Sequence, residues 1–182
     1  MATDARAPDY IEPLRAWRSW LVVASEEGLR LSSVVHRTLW PVRCELVAVC
    51  RRRHLPRWLR GEHEHACPAP GCQCGIYGAR DIEQVLPYLE ATPGEARAGR
   101  LLGRVLGRVL LWGEVIECNL GWRASHAYPE RIYLRSATRG VARREAERLA
   151  RALAAYAVPV ELHAGKTLAE LAEVLAEQPR AA

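Results

Sequence analysis

Lysine is almost absent from this chain. Lys166 is the only one, so the other 25 of the 26 basic residues are Arg, while Phe does not occur and Met occurs once. Scarce Lys and Phe beside abundant Arg, Ala and Gly is what GC-rich codons produce. The number of arginines is therefore weak evidence for any partner, and their distribution carries more. Long apolar runs are lacking too: Trp20-Leu21-Val22-Val23-Ala24 is typical, far short of the roughly 18 residues a membrane span needs. The opening Met1-Ala2-Thr3-Asp4-Ala5-Arg6 has no basic stretch followed by an apolar one, and a cytoplasmic location is the expectation. No repeat of 20–50 residues is visible.

What is present suits one globular unit. At 182 residues, with 49% hydrophobic and 26% charged residues, the chain can bury a core of its own, so a metal would reinforce the fold rather than replace it. The net charge of +5 is uneven: residues 1–60 carry 11 basic and 6 acidic groups, 61–100 carry 3 and 6, and 101–182 carry 12 and 9. The densest basic stretch runs from Arg51 to Arg60, with five Arg, Trp58 and no acid. Arginine forks on phosphates, with Trp58 as a stacking face, point to nucleic acid. The competing reading is a solvated loop in an Arg-rich chain. Candidate contacts are Arg51, Arg52, Arg53, Arg57 and Trp58.

Directly after that stretch stands His63-Glu64-His65-Ala66-Cys67-Pro68-Ala69-Pro70-Gly71-Cys72-Gln73-Cys74-Gly75, with three thiols and two imidazoles in thirteen residues. Six cysteines in a chain with no visible secretory signal read better as metal ligands or idle thiols than as disulfides. Cys72 and Cys74 can grip one ion, with Gly71 and Gly75 letting the backbone fold around it. A closed tetrahedral site needs two more donors. His63, His65 and Cys67 are near in sequence, and Cys50 is distant. The favoured set is Cys50, His65, Cys72 and Cys74, because it ties a strand end to the knuckle and encloses a loop with no period of its own. Cys67 with His63 is the alternative. The spacing matches no common zinc-finger pattern. His63-Glu64-His65 does not reproduce the His-Glu-x-x-His helix of zinc proteases, so structural Zn²⁺ is expected over catalytic.

The expected fold class is α+β: a single domain over 14–177 with a mostly antiparallel sheet and two to three helices. A leader at 1–13, a metal-organised loop at 50–75 and a tail at 178–182 complete the division. Strands are expected at Ala16–Val23 and Leu29–Trp40 around a Glu26-Glu27-Gly28 turn, then at Glu45–Val49. Asp81 with Gln84 reads as a capping box opening a short helix over 82–90, with Pro87 a reason to expect a bend or an early end. The clearest β signal covers Val105–Ile116, apolar in both parities and so covered on both faces, with Gly107 and Gly113 marking bulges or close approach. Asn119-Leu120-Gly121 turns into a return strand from Trp122 to Tyr128, stopped by Pro129, with a further short strand at Arg131–Leu134. Val141–Tyr156 reads as a helix with Ala142, Ala146, Leu149, Leu153 and Tyr156 inward. An edge strand at Val158–Leu162 and a last helix capped by Thr167 and Glu170 follow.

Other constellations are weaker. Gly165-Lys166-Thr167 is no phosphate loop, because the required earlier glycine is Val160. Glu114 and Glu117 have opposite parity, and nothing in their spacing specifies a site from Cys118, His126 and Glu117. Trp17, Trp20, Trp40, Trp112 and Trp122 read as core. A second functional reading is a small enzyme or ligand-binding protein with a cleft near Trp112, Glu114, Arg123 and His126.

Three segments together, Cys72-Gln73-Cys74-Gly75-Ile76-Tyr77, Leu111-Trp112-Gly113-Glu114-Val115 and Gly121-Trp122-Arg123-Ala124-Ser125-His126-Ala127-Tyr128-Pro129, carry a likeness over most of residues 14–162. The chain resembles a group of small uncharacterised bacterial proteins with a CxCGIY-type knuckle, a VxLWGxV strand and a GxRAxxAYP return strand. The resemblance implies one shared domain, with the tryptophan strand and the return strand near the knuckle. It implies no activity. The leading expectation is a non-enzymatic, zinc-stabilised binding module, with nucleic acid ahead of a protein partner.

Overall fold

The computed structural model describes residues 12–50, 65–90 and 101–176. Within them a seven-stranded, mostly antiparallel sheet carries two α-helices. Strand β1 (Leu14–Ser25) turns at Glu26-Glu27 into β2 (Gly28–Ser33), with Ser25 facing Gly28 in the register. Gly28 takes φ +103°, which a tight hairpin requires and a side chain resists. The single strand expected from Leu29 to Trp40 is instead folded back on itself. Arg37 adopts φ +52°, Ser33 N–H donates to Thr38 O, and Trp40 N–H returns to Leu31 O. Burial of Trp40 drives the reversal: its indole is fully enclosed, packs edge-on against Trp20 at 5.4 Å, and donates to Ser33 Oγ.

The long hairpin of β5 (Leu101–Cys118) and β6 (Gly121–Ser136) forms the centre of the sheet. Side chains of both β5 parities are buried: Val105, Val109 and Leu111 join one core cluster, and Leu106 joins the other. At Gly107 a Cβ would lie 2.1 Å from Arg131 O, a close approach only glycine permits, and Gly113 sits at φ +77° in a bulge between Trp112 and Val115. Pro129 does not stop β6. It pairs with Val109, the next pair is Arg108 with Arg131, and the unpaired Glu130 forms a bulge. A proline lacking an N–H is tolerated in a strand at such a point.

β5 lies along one side of β6. The other side receives three short partners in turn: β4 (Ile76–Ala79) against Gly121–Ala124, β3 (Leu46–Val47) against His126 and Ala127, and β7 (Val160–Ala164), parallel, against Ile132–Ser136. The far edge of β4 touches β1 through Ala79 and Trp17, so β1, β5, β6 and β4 pair around a ring. Helix α1 (Gly140–Leu153) makes the crossover to β7 and buries Ala146 and Leu153, with Tyr156 in the 3₁₀ turn that follows. Ala142, expected inward, is exposed one turn before the buried face begins. Pro159 precedes the β7 ladder, as its missing N–H requires.

The helix expected over 82–90 is two 3₁₀ turns, Ile82–Gln84 and Leu86–Leu89, and Asp81 makes no side-chain cap. Pro87 cannot donate in a continuous α-helix, and Ile82 and Val85 are held by packing instead. Helix α2 (Leu168–Ala176) covers this second cluster with Leu171, Ala172 and Leu175. Its capping box is formed: Glu170 N–H donates to Thr167 Oγ1, while Thr167 N–H and hydroxyl donate to Glu170 Oε2. Trp17, Trp20 and Trp40 are buried, whereas Trp112 and Trp122 are half-exposed. No helix among the described residues is long and apolar enough to cross a membrane.

Candidate metal centre

The Cys/His cluster forms where β3 and β4 share one edge of β6. From Val47 the chain stays on that edge, with Ala48 N–H bonded to Ser125 O at 2.7 Å, and reaches Cys50. The knuckle approaches from the other direction. Cys72 N–H donates to Ala69 O at 3.2 Å, Gly71 and Gly75 take φ +73° and +122°, and Ile76 then enters β4 opposite Ala124. Pairing of two short strands with a third thus delivers Cys50 to Cys72, 22 positions away in sequence, and to its neighbour Cys74.

Cys50, His65, Cys72 and Cys74 each offer a donor atom, and all four atoms lie within 4.8 Å of one another. Cys50 Sγ is 3.8 Å from Cys72 Sγ, and Cys74 Sγ is 3.9 Å from His65 Nδ1. With Zn–S near 2.3 Å, the sulfur–sulfur edge of a tetrahedral site is about 3.8 Å. The sulfurs are too far apart for a disulfide, and all six cysteines are free. Cys50 is 4% exposed and the other three donors are half-buried.

The thiols are unequal. Burial opposes ionisation of Cys72. Hydrogen bonds from the backbone and thiol of Cys74, from the Cys50 thiol and from His65 outweigh it and bring Cys72 down to about 7. Burial pushes the Cys74 thiol up, and the neighbouring Cys67 thiol adds to the shift. A divalent cation among these sulfurs favours the thiolate of each. Three soft sulfurs and one imidazole form a four-donor set whose chemistry fits zinc.

Cys67, the alternative donor, stands beside Cys74 but outside the group of four. His63 lies outside the described residues, as do Arg51, Arg52, Arg53, Arg57 and Trp58. Of the second reading's cleft, Trp112 and His126 are stacked at 6.0 Å, and Ser125 Oγ links His126 Nδ1 to the Glu114 amide. Arg123 is directed elsewhere. It is 4% exposed and donates to the carbonyls of Cys72 and Cys74. A shallow depression of about 340 Å³ beside the knuckle is lined by Gly71, Cys72, Gln73, Tyr77, Cys118 and Arg123. The return strand lies beside the knuckle, as the resemblance implies, and it brings Arg123 to the carbonyls of the turn; nothing in the spacing of Gly121–Pro129 singled out that contact. Compared with known proteins, the chain matches no family model, no curated protein and no solved structure.

Proposed function

We propose that this chain is a non-enzymatic binding module stapled by one structural Zn²⁺ on Cys50, His65, Cys72 and Cys74, and that the staple serves nucleic-acid binding. One observation carries the reading: two of the four converging donors, Cys50 and His65, bracket the segment that holds Arg51, Arg52, Arg53, Arg57 and Trp58. An ion that joins the two ends removes loop-closure freedom from the 14 residues between them. Planar guanidinium groups grip phosphates as bidentate forks, and an indole stacks on an unpaired base.

Metal analysis of the purified protein with and without Cys72→Ser tests the staple. The expected result is loss of one equivalent of zinc together with loss of fold stability, read as a lower melting temperature; loss of metal with the stability of the fold intact moves the reading to a catalytic or regulatory ion. Gel shifts on single-stranded DNA and RNA test the partner. Four phosphate contacts give a log–log salt slope of about −2.8, so binding weakens about 50-fold between 50 and 200 mM salt. Replacing Arg51, Arg52, Arg53 and Arg57 with Ser should abolish the shift, and no shift at low salt would sink the nucleic-acid reading.

A further inference from the structure

We propose that Arg123 is a positioning residue of the metal centre, supplying its counter-charge and anchoring the backbone of the Cys72-Gln73-Cys74 turn. This rests on the reading of Cys50, His65, Cys72 and Cys74 as zinc ligands and adds a residue outside the ligand set. Three consecutive carbonyls of the turn accept hydrogen bonds from the β4–β6 platform. Arg123 Nη1 donates to Cys72 O and to Cys74 O, the latter at 3.1 Å, and the Tyr77 hydroxyl donates to Gln73 O at 2.9 Å. Tyr77 and Arg123 are register partners, so one rung of the β4–β6 ladder holds the whole turn. Gly75 lets the turn settle there, since a Cβ at that position would stand 3.1 Å from Arg123 Cβ and 3.2 Å from Pro68 Cβ. With its carbonyls pinned, the turn cannot rotate its peptide planes, and the sulfurs of Cys72 and Cys74 are set in place before an ion arrives.

Charge gives the same residue a second role. Three thiolates, a neutral imidazole and a divalent ion sum to one net negative charge. A guanidinium stays protonated at any ordinary pH, and Arg123 is buried against the turn, where the low dielectric strengthens its attraction to that charge. The relation is reciprocal: the loaded centre also stabilises the buried cation.

The test is zinc affinity of the full chain, measured by competition with a chromogenic chelator, for the wild type, Arg123→Lys, Arg123→Gln and Arg123→Met. Melting of each metal-free protein monitors the fold. Arg123→Met and Arg123→Gln are expected to lose about 10–100-fold in affinity, and Arg123→Lys to recover most of that loss. Wild-type affinity in Arg123→Gln, or Arg123→Lys as weak as Arg123→Met, overturns the counter-charge role. If Arg123→Met does not fold, the Lys and Gln variants carry the comparison, because both keep a donor and only one keeps the charge. A wild-type protein that takes up no zinc refutes the ligand reading itself and takes this inference with it, an outcome distinct from equal affinities across the series.

Discussion

Cys50 is the candidate donor whose loss discriminates most sharply between the possible donor sets. Cys50→Ser replaces a buried thiol, 3.8 Å from Cys72 Sγ, with a hydroxyl that is a poor zinc ligand. Structural zinc sites of four donors bind with about 10–16 kcal/mol, so one donor is worth about 3 kcal/mol, or roughly 100-fold in affinity. The variant also opens the tie between the end of β3 and the knuckle, so zinc should no longer raise the melting temperature by the wild-type increment. Chelator competition and melting with and without zinc measure both effects. Cys67→Ser is the matched control: Cys67 lies beside Cys74 but outside the converging four, and its replacement should cost clearly less zinc affinity than Cys50→Ser. Retention of zinc in Cys50→Ser with loss in Cys67→Ser would refute the assignment and move the fourth donor into the knuckle.

Two further outcomes concern the scaffold. Tyr156 is fully buried, and burial pushes its hydroxyl up to about 12, so it stays protonated; it accepts from Leu31 N–H at 2.9 Å and donates to Trp40 O at 2.8 Å. Tyr156→Phe strands both backbone groups and should cost about 2 kcal/mol, lowering the melting temperature by about 4–8 °C; an unchanged melting curve would show that water satisfies them. Hydrogen bonds from the Thr167 backbone and hydroxyl hold the Glu170 carboxyl below its ordinary 4.5. A depressed carboxyl stabilises the fold above its unfolded value and loses that contribution as pH falls through the folded one. Glu170→Gln should therefore lower the melting temperature at pH 7 and have little effect at pH 3, and an equal effect at both would exclude the carboxylate as the cause.

Local signals in the sequence were reliable where neighbours along the chain decide the structure. The β5–β6 hairpin follows from two apolar runs around Asn119-Leu120-Gly121, the α2 cap from Thr167 and Glu170 three residues apart, and the inward face of α1 from Ala146, Leu149 and Leu153. Local signals misled where distant packing decides. The Leu- and Val-rich stretch from Leu29 to Trp40 reads as one strand, yet enclosing Trp40 against Trp20 folds it back at Arg37. Pro129 reads as a strand end, yet β5 carries β6 through it by leaving Glu130 unpaired. Asp81 and Gln84 have capping spacing, yet Pro87 and the burial of Ile82 leave only 3₁₀ turns.

The cluster divides along the same line. Sequence alone determined that Cys72 and Cys74 sit on a tight glycine-flanked turn, because backbone freedom at Gly71 and Gly75 is a local property. The same sequence singled out Cys50 and His65 as partners only by weighing what a loop would gain from closure. Tertiary structure decided that Cys50 meets the knuckle, because β3 and β4 pair side by side with one edge of β6. It also decided that Arg123 reaches the carbonyls of Cys72 and Cys74. Such pairings join residues dozens of positions apart, and their stability depends on backbone ladders and core packing that no short window of sequence contains.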